Sequence, residues 1–257
     1  MKHLVWAKRP ELHRPALVAA FEGWNDAGDA ATTAARWLAD QWGTEPFATI
    51  DPEEFFDFSS SRPHVRLDDH GQREIIWPTN QLLGGRVPGT GTDVIFLIGT
   101  EPQLRWRTFC AAVLAVADQY DVSLVVSLGA LLAEVPHTRP VSVVGTAPDR
   151  ELGQRLGMTV SRYEGPTGII GALTDACHRA GRRCASLWAA VPTYVPSATS
   201  PKAALALVER CAGLLELPVV ATELEIASAA YERQLDELVA EDDETAAYVA
   251  RLVERSD

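Results

Sequence analysis

At 257 residues, 47% hydrophobic and 23% charged, the chain is long enough to bury one large core and lacks the composition of a disordered protein. Its formal net charge of -12, with no basic cluster beyond Arg179, Arg182 and Arg183, argues against a phosphate-neutralising surface, so nucleic acid is not an expected partner. The most apolar uncharged run, Val122 to Ala133, falls well short of the roughly 20 residues of a spanning helix, and the longer run Cys184 to Pro201 is broken by Pro192 and Pro196, so no membrane is expected either.

In chain order, Leu4 to Trp6 and Ala16 to Phe21 read as strands, and Ala27 to Trp42 as a helix with apolar positions at helical spacing. Asp57 to Asn80 reads as a hairpin excursion. Asp93 to Gly99 (DVIFLIG) is the continuous apolar run of a strand covered on both faces. A helix follows from Gln103 to Tyr120, then strands at Leu124 to Leu128 and Pro140 to Thr146. GPTGIIGALTDACHRAG opens a helix, SLWAAVPTYV is strand-like, and Lys202 to Leu215 is helical again. This alternation predicts an α/β fold: a mixed, mainly parallel sheet with helices on both faces. The tail, 219–257, is predicted as a helical extension of the body, 1–218. Leu224, Tyr231 and Leu238 recur every seven residues with Leu235 in the next turn, and a second short helix follows with Tyr248, Val249, Leu252 and Val253 on one side. Such a pair packs on its own domain or forms a subunit contact, and different faces can do both.

The N-terminus, Met1 to Arg9, holds too few apolar residues before Lys8 and Arg9 for a signal-peptide core, which predicts a cytoplasmic protein. Cys110, Cys177, Cys184 and Cys211 have no C-x-x-C spacing and sit in or beside apolar segments, as reduced buried thiols do. With no H-e-x-x-H-type cluster, neither metal nor cofactor is expected.

One stretch stands out. FEGWNDAGDAAT, Phe21 to Thr32, joins a strand to a helix, with Asn25 or Asp26 placed to cap free helix N-H groups. Its glycine spacing matches no dinucleotide or Walker loop, and Glu22, Asp26 and Asp29 would repel a phosphate. GTEP, Gly99 to Pro102, stands after the next strand, where Glu101 and Arg105 are four apart and suited to pair on a helix surface. VPHTRP, Val135 to Pro140, carries His137 and Arg139 between two prolines. Because loops after parallel strands gather on one edge, Trp24, Asn25, Asp26, Glu101, Arg105, His137, Arg139 and Tyr194 are candidates to line a single crevice there. His137, Glu101 and Asp26 are its acid-base candidates, although no nucleophile elbow accompanies them. The rigid turn favours a structural histidine at His137, and Arg139 is better suited to tying a loop or subunit together than to gripping a substrate.

FEGWNDAGDAA, GTEPQLRWRTF, LGALLAEVPHTRPV, YEGPTGIIGAL and SLWAAVPTYV, in this order, resemble the PAC2 family of proteasome assembly chaperone 2-like proteins, and the tail LDELVAEDDETAAYVARLVER resembles that of its actinobacterial-type members. The resemblance implies a phosphorylase/hydrolase-like fold similar in shape to purine nucleoside phosphorylase, and a homo-oligomer, with a trimer as the analogy-based expectation. From eukaryotic and archaeal relatives it also implies a chaperone role toward proteasome α subunits. Some of those dock through a C-terminal hydrophobic-Tyr-any tripeptide, whereas this chain ends Arg255, Ser256, Asp257. Two functions remain open: a non-catalytic assembly or interaction protein, or an enzyme acting on a small nucleoside-like or amide substrate. A ligand-sized pocket into which the candidates point favours the enzyme, and their pairing into a closed network favours the scaffold.

Overall fold

The computed structural model describes residues 2–158 and 161–256. In chain order its strands are β1 (Leu4–Trp6), β2 (Ala16–Glu22), β3 (Glu45–Ile50), β4 (His64–Leu67), β5 (Arg73–Ile76), β6 (Asn80–Arg86), β7 (Asp93–Thr100), β8 (Leu124–Ala133), β9 (Val143–Thr146) and β10 (Cys184–Pro192). The helices are α1 (Ala30–Gln41), α2 (Trp106–Gln119), α3 (Arg150–Arg155), α4 (Ile169–Arg179), α5 (Pro201–Leu215), α6 (Thr222–Ala240) and α7 (Asp243–Ser256).

Eight strands form one sheet in the order β1-β3-β6-β7-β2-β8-β10-β9. Its centre, β7-β2-β8-β10, is parallel, with β2 in register from Ala16 opposite Val94 to Glu22 opposite Thr100. These four strands are apolar on both faces because both are covered. Val18 and Ala20 face α1 and α5, whereas Leu17, Ala19 and Phe21 face α2 and α4. Fully buried Phe21, Phe96 and Phe109 each contribute about 1.5–3 kcal/mol through the apolar area they remove from water. The outer strands join antiparallel: β6, β3 and β1 beyond β7, and β9 beyond β10. Strands β3 and β6 and the short α3 add to the elements expected from the sequence.

Two helix starts shift for local reasons. Residues Ala27–Asp29 form a 3₁₀ turn with Gly28 at φ 60°, so α1 begins at Ala30. Gly28 O accepts the Ser200 N-H at 2.8 Å, and a side chain at Gly28 would press on Ser200 and the Ala198 carbonyl. Arg105 adopts left-handed φ 52°, which starts α2 at Trp106 instead of Gln103. The 57–80 excursion contains the separate hairpin β4–β5, exposed along nearly its whole length.

Helix α6 lies against α5 and buries Leu224, Ser228, Tyr231 and Leu235. Leu238, placed by sequence on the same apolar face, is instead exposed to solvent. In α7, Val249 and Leu252 are buried. All four cysteines are buried and free. Among the described residues, no helix is long and apolar enough to cross a membrane.

Candidate functional site

The parallel strands β2, β7, β8 and β10 end on one edge of the sheet. Strand β2 has β7 on one side and β8 on the other, the point where an open α/β sheet leaves a crevice for ligands. On the β8 side the chain fills that crevice itself, whereas on the β7 side Glu22, Gly99 and Thr100 line an open groove of about 400 Å³. Gly23, at φ 124°, turns the chain out of β2, leaving Trp24 65% exposed and Asn25 only 2% exposed. The Asn25 carbonyl accepts the Ala130 N-H at 2.8 Å, extending the β2–β8 pairing by one bridge between Asp26 and Ala130.

The Asn25 side chain donates to Glu101 Oε1 at 2.7 Å, and the same oxygen accepts the Ile169 N-H at 2.8 Å. Glu101 therefore places a carboxylate at the N-terminus of α4, where an anionic ligand would otherwise be favoured. Gly168 makes the close approach possible. A Cβ there would stand 2.2 Å from Asn25 Nδ2 and 2.6 Å from Glu101 Oε1.

Asp26, 5% exposed, reaches forward into α1. Its Oδ1 accepts the N-H groups of Ala31 at 2.7 Å and Thr32 at 3.2 Å, while Oδ2 accepts the Thr32 hydroxyl. The cap expected from the sequence is thus made by Asp26. Burial raises its pKa above the ordinary value, with the Thr32 and Ala31 hydrogen bonds acting in the opposite direction.

A second cluster lies beyond β8 and β10. His137, 3% exposed, has both ring nitrogens engaged: Nδ1 lies 2.7 Å from the Tyr194 hydroxyl and Nε2 lies 3.0 Å from Asp236 Oδ1 on α6. As a carboxylate, Asp236 only accepts, so the ring proton is assigned to Nε2. Nδ1 then accepts from the Tyr194 hydroxyl, whose oxygen accepts the His137 backbone N-H at 2.7 Å. Burial pushes the Tyr194 pKa up to about 12, in keeping with its part as a neutral donor. Lys202 at the start of α5 donates to the carbonyls of His137 at 2.6 Å and Arg139 at 2.8 Å, and pairs with Glu232 on α6. A cleft of about 320 Å³ runs along this cluster, with His137, Arg139, Pro140, Ser200, Lys202 and Tyr231 in its wall.

The candidates consequently divide into two groups on one edge. Asn25 and Glu101 are tied together, His137 and Tyr194 are tied together, and Asp26 is committed to α1. The expected Glu101–Arg105 pair does not form. Both residues precede α2, so they lack the helical spacing that would align them, and the left-handed turn at Arg105 sends its guanidinium to Glu54. Asp236, Lys202 and Glu232 are participants that the sequence did not point to. Among the described residues, no group of three or more His, Cys, Asp or Glu is placed to hold a metal ion.

Comparison with known proteins agrees with this architecture. A model described as the PAC2 family matches residues 20–239. The crystal structure of a PAC2 family protein from Streptomyces avermitilis is 47% identical, with TM-score 0.86, over 91% of this chain and 99% of that one. A proteasome-assembly chaperone homologue from Mycobacterium tuberculosis is 46% identical, with TM-score 0.83 and the same coverage. An archaeal proteasome activator from Pyrococcus furiosus, at 17% identity and TM-score 0.75 over 93% of this chain and 99% of that one, shares the fold. No curated protein matches the chain.

Proposed function

The chain belongs to the PAC2 family, and from that premise we propose that it is a non-catalytic interaction protein of the cytoplasm, a homo-oligomer that attends the assembly of proteasome α subunits. Its α/β body, 1–218, supplies the scaffold, and the helical extension, 219–257, braces the loop edge. The observation that carries this reading is the closed pairing at the sheet edge. Among the acid-base candidates, Asp26 and His137 have all their side-chain hydrogen-bonding atoms engaged by the chain's own donors and acceptors, and Glu101 has one carboxylate oxygen bound by two of them. General acid-base catalysis needs such a group within reach of a substrate proton, and here Asp26 and His137 would first have to break their structural bonds, while Glu101 is held at the start of α4. The relative from Mycobacterium tuberculosis described as a proteasome-assembly chaperone homologue supports the choice of partner.

The experiment is capture of tagged full-length protein from its native host, read by native mass spectrometry. Recovery of α subunits or half-assembled proteasome intermediates is the expected result. Recovery of the homo-oligomer alone with a small molecule bound would overturn it in favour of an enzyme of the cleft beside His137, the feature on which that alternative rests.

A further inference from the structure

The hairpin β4–β5 pairs only with itself, in a two-stranded sheet separate from the main one. A lone hairpin is marginal in water unless one face is covered. Alternation along the strands puts Val65 and Leu67 on one face, opposite Ile75 and Arg73, and two residues further on Trp77 continues the row. Val65 is 54%, Leu67 63%, Ile75 55% and Trp77 44% exposed. The other face carries His64, Arg66, Glu74 and Ile76, with the Arg66–Glu74 ion pair at 3.1 Å.

At the foot of the hairpin, Trp77 packs edge-on against Phe58, with ring centroids 4.7 Å apart. It also forms the wall of a groove of about 400 Å³, together with Pro78, Gln81, Leu83, Arg36 and Asp40. The apolar row and the groove are therefore continuous. Their charges complement each other across copies: Arg73 stands on the apolar row and Asp40 in the groove, and neither side chain has an ion-pair partner among the described residues.

We propose that the hairpin is an arm that binds a second copy of this chain, its Val65–Leu67–Ile75 row lying in the partner's groove with Arg73 directed at the partner's Asp40. Because arm and groove share Trp77, a two-fold axis beside that residue lets each copy fill the other's groove, as an isologous contact requires. The exposed row amounts to roughly 400 Å², the size of patch that marks a contact on a monomer. A stable interface needs about 800 Å² per partner, so row against row would be too small. Row plus groove give roughly 500 Å² per copy, the size of a weak, concentration-dependent contact. This inference rests on the homo-oligomer part of the proposed function and not on the identity of the client.

The test is the mass of the full-length protein in solution, by light scattering and sedimentation from about 1 to about 100 µM, a range that spans typical oligomer affinities. The wild type is expected to be oligomeric, and the double substitution Leu67→Asp with Ile75→Asp to lower its mass while the far-UV spectrum is kept, since both side chains already face water. Arg73→Asp alone is expected to raise the dissociation constant at least about tenfold, with Asp40→Arg added to it restoring association. The charge pair keeps the test decisive if the double substitution harms folding. An oligomer unchanged by Arg73→Asp and by a folded double variant overturns the arm and leaves the homo-oligomer standing. A monomeric wild type across the range overturns both, and arms that instead capture a different protein while the chain stays monomeric do the same.

Discussion

Glu101 is the group whose removal most directly probes the filled crevice. Glu101→Ala deletes the acceptor of both the Asn25 side chain and the Ile169 N-H, and both residues are buried. Each hydrogen bond to a charged group contributes about 1.5–3 kcal/mol, and an orphaned buried donor loses its water without compensation. The expected loss is thus about 3–6 kcal/mol, among the largest a single substitution produces. At about 2–4 °C per kcal/mol for a chain of this size, Tm falls by roughly 6–24 °C. Glu101→Gln keeps an oxygen in the same place for both donors and loses only the charge at the start of α4, a cost of about 1 kcal/mol. Urea titration of the three proteins, with slopes that stay equal, gives the free energies directly. If Ala and Gln variants are equally stable, or if both lie within about 0.5 kcal/mol of wild type, the carboxylate is not holding the crevice closed.

Two further substitutions address the other paired groups. Asp26 has a raised folded-state pKa, so the folded protein holds this proton more firmly than the unfolded chain; its contribution is most favourable below the unfolded pKa and declines as pH rises through the folded one. Asp26→Asn retains an acceptor for Ala31 and Thr32 and cannot ionise. Its stability relative to wild type is therefore expected to increase with pH across the acid range, and a difference independent of pH in paired denaturation curves would refute the burial argument. Tyr194→Phe strips the His137 backbone N-H and Nδ1 of their shared partner, a loss of about 1–3 kcal/mol visible in the melting curve. A change below about 0.5 kcal/mol would mean that solvent replaces the hydroxyl and that the cluster is not closed.

The buried parallel strands were legible because burial on both faces leaves an unbroken apolar signature, as in DVIFLIG. Strands β3 and β6 were not, since EPFATI and NQLLGGR mix Pro, Gly and polar residues and alternate between core and solvent only once their partners are known. Leu238 misled for a geometric reason. A seven-residue repeat drifts by about 20° per heptad on a straight helix, so the buried stripe follows Leu224, Ser228, Tyr231 and Leu235 and leaves Leu238 behind. At the site, the Asp26 cap could be read locally, because donors and acceptor lie only five and six positions apart. His137 and Asp236 are 99 positions apart. No local pattern announces a bond of that kind, and neither does the conformation of Arg105 that undoes its expected pairing with Glu101.

Lys202 joins three segments at one point: the carbonyls of His137 and Arg139 on the loop after β8, its own helix α5, and Glu232 on α6. Asp236, one turn further along α6, holds His137 from the same side. Breaking either link exposes a charge or a ring that the other was shielding, so the loop and the tail should open together as one cooperative unit. In hydrogen exchange, amides of the 134–142 loop and of α6 would then gain deuterium in a common event, and a protease cut between α5 and α6 would unlock a loop some eighty residues upstream.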